Sequence, residues 1–303
     1  MENEKSKFYK LERLLNLLSF KLDHKDYVAS FSLIYDLELG DTSKEEMLEI
    51  FKKVAHYEHE FNHYKTFDKI TSNSSSYIEE CCDIAIKLVD KMSSKVLING
   101  PISKKHFLRK NFPGMSEYFA RKVGKSNKEV MLIFNKKISV SPITTHFPLR
   151  KIFTKITTKK IVQNINTISL FYKKYLNKSP KFAVTGLNPH CESSDKISEE
   201  HKIITPAIKK LKEKKIKVFG PYPADTIFLK NNFKQFDIVV GMYHDQVLAP
   251  IKSIYGFDAI NITLGLPFLR LTPDHGPNES MLGKNISNPE SLIRALEFAK
   301  KIK

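Results

Sequence analysis

The sequence has few cysteines: Cys81, Cys82 and Cys191 are the three among 303 residues, and two of them are adjacent. Because three thiols cannot build a disulfide framework, we expect a reduced, cytoplasmic protein. No apolar run approaches the roughly 20 residues that span a bilayer. The charged start at 1–7 lacks an apolar stretch with a small-residue cleavage site, so we expect no secretory signal.

Glycine and proline are scarce in the first third of the chain. Only Gly40 among 11 glycines precedes residue 100, and none of the 14 prolines does. Apolar residues there recur at helical spacing, as in Leu11, Leu14, Leu15 and Leu18, which predicts helices. The whole chain also lacks G-x-G-x-x-G and G-x-x-x-x-G-K, which excludes a Rossmann fingerprint and a P-loop.

Acidic residues are too few to balance the basic ones: 50 Lys and Arg against 33 Asp and Glu give a net charge of +17. A nucleic-acid binder is the first alternative for such a balance. However, the lysines are spread over the chain, and no aromatic residues alternate with them as in RNA-binding segments. We prefer a solvated, lysine-rich surface that attracts anionic small molecules, with neither nucleic acid nor membrane as partner.

From residue 95 onward, short β-branched or apolar runs end in turn residues and alternate with helical periods. The predicted strands are 95–98, 138–143, 182–184 and 238–240, and helical periods include 162–175 and 199–214. This alternation predicts an α/β fold with a largely parallel sheet.

Three of these strands are followed by a histidine: His146, His190 and His244. Ligands of open α/β sheets bind at the carboxyl ends of the strands, where the loops converge. Neutral imidazoles are suitable ligands for zinc, manganese or cobalt, so we hypothesise a metal site. Three hydrogen-bonded structural histidines are the alternative, because spacing alone does not decide between the two.

A candidate anion site follows in the sequence. Lys252 lies eight residues after His244, and Asn261 and Arg270 flank the strand-like run 260–264. If they converge, a lysine, an amide and an arginine would hold a phosphate by charge-assisted hydrogen bonds. Taken singly, each is more often an ordinary surface residue.

One motif points to different chemistry. Residues 59–63 read His-Glu-x-x-His, which on a helix would place two zinc ligands on one face with Glu60 as the base of a metalloprotease. Glu58 and the nearby lysines make this a charged, solvated face, and no G-x-x-H follows His63. We interpret the motif as a chance match on a polar helix.

Six segments carry a resemblance to a known family. They read INGP at 98–101, TTHFPL at 144–149, VTGLNPH at 184–190, GPYPADT at 220–226, MYHDQ at 242–246 and NITLGLPF at 261–268. In this order and spacing they resemble 4-hydroxythreonine-4-phosphate dehydrogenase of vitamin B6 biosynthesis, from about residue 70 to the end.

The resemblance implies a two-domain isocitrate/isopropylmalate dehydrogenase-like α/β fold with a cleft between the domains. The first, discontinuous domain would comprise 1–112 and 256–303 on the cofactor side. The second, 113–255, would carry the metal and substrate site and the dimer contacts of a homodimer.

The resemblance also assigns ligands. The metal ion, which could be zinc, magnesium, manganese or cobalt, would be held by His146, His190 and His244. The third ligand would come from the partner subunit, so we expect His146 and His190 in one cleft and His244 at the dimer-related edge.

Further residues would bind the substrate and NAD. The substrate phosphate would contact Lys252, Asn261 and Arg270, with a hydrogen bond from Ser116. The turn Asp274, His275 and Gly276, together with Asn188, would contact NAD. Asp245 would act catalytically with Lys252, by orienting His244 or relaying a proton.

The implied reaction is NAD-dependent oxidation of 4-phosphooxy-L-threonine, followed by β-decarboxylation to 3-amino-2-oxopropyl phosphate. Two departures bear on it. Residues 1–70 contain nothing like the family's Gly-Asp-Pro-Ala-Gly-Ile-Gly loop, so we expect a divergent or shortened N-terminus. Met115 stands where the family has an imidazole and cannot replace its polar contact. A related substrate, phosphoerythronate or phosphothreonate, and an inactive ligand-binding relative are therefore the alternatives.

Overall fold

The computed structural model describes residues 32–34, 70–91, 95–109, 111–191, 197–229, 231–277, 279–281 and 288–302. Its strands are β1 Ser32–Ile34, β2 Val96–Asn99, β3 Val130–Phe134, β4 Ser139–Thr144, β5 Phe182–Thr185, β6 Val218–Tyr222, β7 Ile238–Tyr243, β8 Ile260–Leu264 and β9 Leu269–Pro273. They form one sheet of nine strands in the order β1-β2-β9-β8-β3-β4-β7-β5-β6.

Helices connect and cover these strands. They are α1 Ser75–Lys91, α2 Lys104–Phe107, α3 Met115–Lys122, α4 Leu149–Lys155, α5 Thr158–Leu176, α6 Thr205–Glu213, α7 Ala224–Ile227, α8 His244–Tyr255 and α9 Glu290–Lys301. A π-helical turn, Glu200–Ile204, leads into α6. Within the described ranges, no helix combines the length and the apolar composition needed to cross a bilayer.

Every strand predicted from residue 95 onward is present, shifted by one residue or extended at its carboxyl end. The predicted largely parallel sheet is wrong, since β1–β2, β3–β4, β3–β8 and β8–β9 are antiparallel. Short connections account for two of these pairs: β3–β4 and β8–β9 are joined by the hairpin turns 135–138 and 265–268, and a parallel crossover needs a dozen or more residues. Gly265 permits the second turn with a φ of +84°.

The two halves of the sheet come from different parts of the chain. Strands β1, β2, β8 and β9 lie in the segments 1–112 and 256–303, and β3 to β7 lie in 113–255. The halves meet at the antiparallel β8–β3 pair. The division into two domains at these boundaries stays a prediction.

Helices pack on both faces of the second half. On one face, Ile165 of α5 and Leu211 of α6 share a buried cluster with Val240. On the other face, Val247 of α8 packs with Val239. Neighbouring residues of β7 point to opposite faces, as the alternation of side chains along a strand requires. With both faces covered, binding residues lie at the strand ends.

On the first half, α1 and α3 cover β2. Val89, Leu97 and Phe119 belong to one buried cluster. This packing brings the first turn of α3 over the β8–β9 pair, where the cationic part of the candidate site lies.

Candidate functional site

The centre of the candidate site is a pair of imidazoles. His146 follows β4 and His244 begins α8 directly after β7, and their ring centroids lie 5.8 Å apart. Two imidazoles that share one ion through metal–nitrogen bonds of about 2 Å have ring centres roughly 5–6 Å apart. The centroid distance is compatible with one divalent ion between the two rings, and completing its coordination would need further ligands.

His190 is not part of this pair. It is exposed and lies in the turn Pro189–Cys191 with φ 57° and ψ 3°. The strand order explains why: β7 lies between β4 and β5, so the loops after β4 and β5 are separated by a strand. Among the described residues, no group of three or more His, Cys, Asp or Glu side chains is arranged to hold a metal. In the single chain, His244 rather than His190 is the neighbour of His146.

Both nitrogens of His146 face charged groups. Nε2 lies 3.0 Å from Nζ of Lys104 at the start of α2, and Nδ1 lies 3.6 Å from Oε1 of Glu117. The same carboxylate oxygen accepts a hydrogen bond of 2.7 Å from the Thr145 hydroxyl. Burial acts to raise the pKa of Glu117, but the His146 ring and Thr145 outweigh it and lower the pKa to about 2. Glu117 is therefore a fixed negative charge behind the imidazole at neutral pH.

His244 has a carboxylate of its own. Its Nδ1 lies 2.6 Å from Oδ1 of Asp245, whose side chain is 83% exposed. A carboxylate on one ring nitrogen fixes the orientation of the ring and leaves the other nitrogen for a ligand. Asp245 thus contacts His244 in the structure, and its catalytic role stays a prediction.

Arg270 lies on β9 and is 3% exposed. Its Nε donates to Asn99 Oδ1 at 2.8 Å and its Nη1 to Thr263 Oγ1 at 3.1 Å. The Thr263 hydroxyl in turn lies 2.9 Å from Ser116 Oγ, and the guanidinium stacks 4.7 Å from the centre of the Phe119 ring. No carboxylate of the described residues forms an ion pair with Arg270. It is thus a buried cation with no directly paired carboxylate in the described part of the chain, and the charge of Glu117 acts on it from a longer distance.

The other two predicted phosphate ligands are placed differently. Asn261 lies on the same face of β8 as Thr263, and its buried Oδ1 has no hydrogen-bond partner among the described residues. Lys252, on α8, is already engaged by Asp274, with Nζ 2.6 Å from the carbonyl oxygen and 3.0 Å from Oδ2. Burial raises the pKa of Asp274, and Lys252 opposes that effect. Arg270 and Ser116 are therefore linked by hydrogen bonds through Thr263, whereas Lys252 forms an ion pair with Asp274.

Of the residues predicted to contact NAD, some already have hydrogen-bond partners or are buried, and others are accessible to a ligand. The Asn188 amide donates to Glu199 Oε2 at 2.9 Å and to Glu200 Oε2 at 2.7 Å, and Asp274 is 8% exposed. His275 is half-buried, with its ring packed edge-on to another aromatic ring, and Gly276 is exposed. The accessible part of this set is the turn at His275 and Gly276.

Several residues that shape the site were not singled out from the sequence. Gln246 joins the carboxyl ends of β5 and β7, because its Oε1 accepts from the Thr185 hydroxyl at 2.9 Å and from the backbone N–H of Met242 at 2.6 Å. Glu200 Oε1 accepts the backbone N–H groups of residues 187 and 188, both at 2.8 Å. Gln246 lies inside the MYHDQ segment, but no local pattern marks Glu200.

The predictions for the N-terminal region lie outside the described residues. They are the helices near 11–18 and the His-Glu-x-x-His motif at 59–63.

Comparisons with known proteins place the chain among relatives. Residues 15–299 match the family described as pyridoxal phosphate biosynthetic protein PdxA. A 4-hydroxythreonine-4-phosphate dehydrogenase of Sulfurihydrogenibium sp. is 42% identical over 219 residues, which are 71% of this chain and 67% of the relative. A Salmonella typhi protein provisionally named D-threonate 4-phosphate dehydrogenase is 32% identical over 234 residues, which are 76% of this chain and 71% of that protein.

Solved structures agree with the fold. The crystal structure of 4-hydroxythreonine-4-phosphate dehydrogenase from Klebsiella pneumoniae has a TM-score of 0.64 at 28% identity and covers 77% of this chain and 72% of that one. A β-decarboxylating dehydrogenase of Thermococcus kodakarensis has a TM-score of 0.50 at 11% identity, with coverage of 75% and 71%. The predicted isocitrate/isopropylmalate dehydrogenase-like fold is confirmed.

The family match extends farther toward the N-terminus than the motifs indicated, and the chain covers only part of the length of its relatives. The match begins at residue 15, whereas the motifs indicated a resemblance only from about residue 70. The chain spans 57% to 71% of the length of the curated relatives it matches. A match over nearly the whole chain, together with the fold and the strand-end histidines, means that this protein belongs to the PdxA family of pyridoxal phosphate biosynthetic proteins.

Proposed function

We propose that this chain is an NAD- and divalent-metal-dependent dehydrogenase of 4-phosphooxy-L-threonine. The oxidised product, a β-keto acid, would lose carbon dioxide to give 3-amino-2-oxopropyl phosphate in pyridoxal phosphate biosynthesis. Family membership and a 42% identical relative of that activity support the reaction. The chain would work in the cytoplasm as a homodimer, with a histidine of one subunit completing the metal site of the other.

The observation that carries the proposal is the buried Arg270. Taking a guanidinium out of water costs several kcal/mol unless an anion compensates it. Burial lowers the pKa of Arg270 to about 10, so the group is still charged at neutral pH. A phosphoryl group supplies the missing negative charge and matches the guanidinium fork with paired hydrogen bonds. Asn261 and Ser116 lie close enough along the same surface to add hydrogen bonds.

His146 and His244 would hold the metal ion. When bound, a divalent ion polarises the substrate hydroxyl and stabilises the negative charge that develops on its oxygen. Asp245 orients the His244 ring through Nδ1, and the negative charge of Glu117 lies 3.6 Å from Nδ1 of His146. Asp245 is also exposed enough to pass the hydroxyl proton to water.

The remaining residues position the reactants. Thr263 links Ser116 and Arg270, so the phosphate would be held on the β8–β9 side while the hydroxyl carbon faces the imidazoles. The hydride acceptor, NAD, would contact the turn at His275 and Gly276. Lys252 can contact the phosphate only if its ammonium group leaves Asp274.

The test is an assay of NADH formation with 4-phosphooxy-L-threonine, NAD and zinc, magnesium, manganese or cobalt. We expect metal-dependent turnover that His146→Ala and His244→Ala abolish without unfolding the protein. Absence of turnover with every metal, in folded protein, would refute the proposal and leave an inactive ligand-binding relative.

A second substrate is favoured by one specific observation. Met115 is buried next to Ser116, in the segment where the family pattern has an imidazole, and a 32% identical relative carries the name of a D-threonate 4-phosphate dehydrogenase. D-Threonate 4-phosphate has a hydroxyl where phosphooxythreonine has an amino group. Comparing kcat/KM for 4-phosphooxythreonine, phosphothreonate and phosphoerythronate separates these activities, and the higher value identifies the substrate.

A further inference from the structure

Asn99, the last residue of β2, lies against the buried arginine of the candidate phosphate site. It is 2% exposed, and its Oδ1 accepts a hydrogen bond of 2.8 Å from Nε of Arg270. Leu97 pairs with Arg270 across β2 and β9, and Asn99 follows Leu97 by two residues, so all three side chains lie on one face of the sheet. Asn99 is therefore a neighbour of the arginine that would bind the phosphoryl group.

The amide of Asn99 is held in one orientation. Its Nδ2 donates to the carbonyl oxygen of Gly100 at 2.7 Å, while its Oδ1 faces an N–H group of the guanidinium. Turning the amide by a half rotation would place two donors against each other at Arg270 and two acceptors against each other at Gly100. The hydrogen bond to Gly100 thus fixes the amide oxygen on Nε of Arg270.

Both acceptors of the Arg270 guanidinium are neutral. A guanidinium has five N–H donors. Nε donates to Asn99 and Nη1 donates to Thr263, and over the described ranges of the chain Nη2 donates to no side chain or backbone group. The charge of Glu117 acts on the arginine without forming an ion pair. Neutral acceptors fix the position of the guanidinium without compensating its charge, so the charge and the remaining donors are left for a ligand.

We propose that Asn99 is a positioning residue of the phosphate site, which holds Nε of Arg270 with a neutral oxygen and so keeps the guanidinium both oriented and positively charged for a phosphoryl group. This inference rests on the proposed function, because it takes a phosphorylated acid as the ligand. A carboxylate at position 99 would hold the same N–H group, but it would neutralise the arginine before the substrate binds. The neutrality of the Asn99 amide therefore contributes to the affinity for phosphate.

The experiment measures the binding of 4-phosphooxy-L-threonine to the full-length protein by calorimetry, without NAD so that no turnover occurs. Asn99→Asp keeps the shape of the side chain and adds a charge, whereas Asn99→Ala removes the acceptor. We expect Asn99→Asp to raise Kd by roughly 30-fold or more, because of the charge beside Arg270. Asn99→Ala should raise it by roughly two- to tenfold, the usual effect of one lost hydrogen bond. A purely structural role would give the reverse order, because Asp resembles Asn more closely than Ala does.

The matched control is Asn177→Asp, which changes the net charge by the same amount. Asn177 is exposed at the carboxyl end of α5, just before β5, and therefore lies at the amino ends of the parallel strands, opposite the edge that carries His146 and His244. Aspartate tolerates the left-handed backbone conformation found there. The Kd of Asn177→Asp should equal that of the wild type.

The outcomes separate this inference from the proposed function. If the wild type binds 4-phosphooxy-L-threonine and Asn99→Asp binds it as tightly as the wild type, or more tightly than Asn99→Ala, the positioning role alone is overturned. An equal loss in Asn177→Asp also overturns it, because the effect would then be one of general charge. Wild-type affinity in Asn99→Ala overturns it even if Asn99→Asp does not fold. If the folded wild type does not bind the ligand, the proposed function and the role of Asn99 are both overturned.

Discussion

Gly114 lies directly against the ring of His146: a Cβ atom on Gly114 would stand 2.5 Å from both Nδ1 and Cε1 of the imidazole. The backbone of Gly114 is extended, with φ −161°, so the position requires glycine for its lack of a side chain rather than for its conformation. The loop before α3 is thus packed around the imidazole that would bind the metal.

The first prediction follows from this contact. Gly114→Ala should push the His146 ring out of place and lower Co²⁺ affinity by roughly tenfold or more. The free energy of unfolding should fall by about 1–3 kcal/mol, the usual range for overpacking. Gly100→Ala is the matched control, because no atom of the described residues lies within 4 Å of its added Cβ. Wild-type metal affinity in Gly114→Ala would contradict the placement of His146.

The second prediction concerns the anion site. Arg270→Lys keeps the charge but loses the planar fork that pairs with a phosphoryl group. We expect KM for the phosphorylated substrate to rise by roughly 10- to 100-fold, which corresponds to about 1.4–2.7 kcal/mol of binding.

The control for this substitution is Arg294→Lys. Arg294 pairs with Asp258 at 2.8 Å and is partly exposed, outside the cleft. Its replacement should leave KM unchanged. An equal rise of KM in both variants would mean that Arg270 contributes only general positive charge.

The third prediction is a pH dependence that originates at Glu200. Burial acts to raise the pKa of this carboxyl, but hydrogen bonds from Asn188 and Leu187 outweigh it, and the pKa lies below its usual value of 4.5. A lowered folded-state pKa means that the ionised group stabilises the fold above pH 4.5 and loses this effect as the pH falls through the folded-state pKa.

The measurement compares urea unfolding of the wild type and Glu200→Gln between pH 3 and pH 7. At pH 7 the variant should be less stable by about 1–3 kcal/mol, since charge-assisted hydrogen bonds are lost. The difference should shrink as the pH falls below 4.5. A difference that does not change with pH would show that the charge of Glu200 has no part in holding the 186–190 loop.

The fourth prediction tests the β8–β9 hairpin. A Cβ on Gly265 would lie 2.0 Å from the carbonyl oxygen of Lys128, and φ there is +84°. Gly265→Ala should therefore destabilise the protein by more than about 3 kcal/mol, because a backbone clash adds to the strain.

The comparison is Gly124→Ala. Gly124 also has a positive φ, +65°, but in the described part of the chain nothing lies within 4 Å of its added Cβ. Its substitution should cost about 1–2 kcal/mol, the strain of the left-handed conformation alone. Thermal or urea unfolding of the two variants measures the difference in the free energy of unfolding. Equal losses of stability would mean that the backbone of Gly265 lies farther from Lys128 than in this structure.

Much of the fold could be predicted from local patterns. The runs at 95–98, 138–143, 182–184 and 238–240 became strands because β-branched and apolar residues there are bounded by turn residues. The hairpins β3–β4 and β8–β9 were not predicted, because their sequences carry no two-residue Asn-Gly or Asp-Gly turn that would have marked them.

The sequence by itself determined the chemistry that is available: imidazoles after β4, β5 and β7, and an arginine and an amide on the last strands. These follow from residue type and local strand pattern. Only the tertiary structure decided which groups meet. Strand order placed His244 beside His146 and kept His190 apart, and helix packing brought Lys104 and Glu117 to the two nitrogens of one ring. Such contacts join residues far apart in the chain, so no local pattern encodes them.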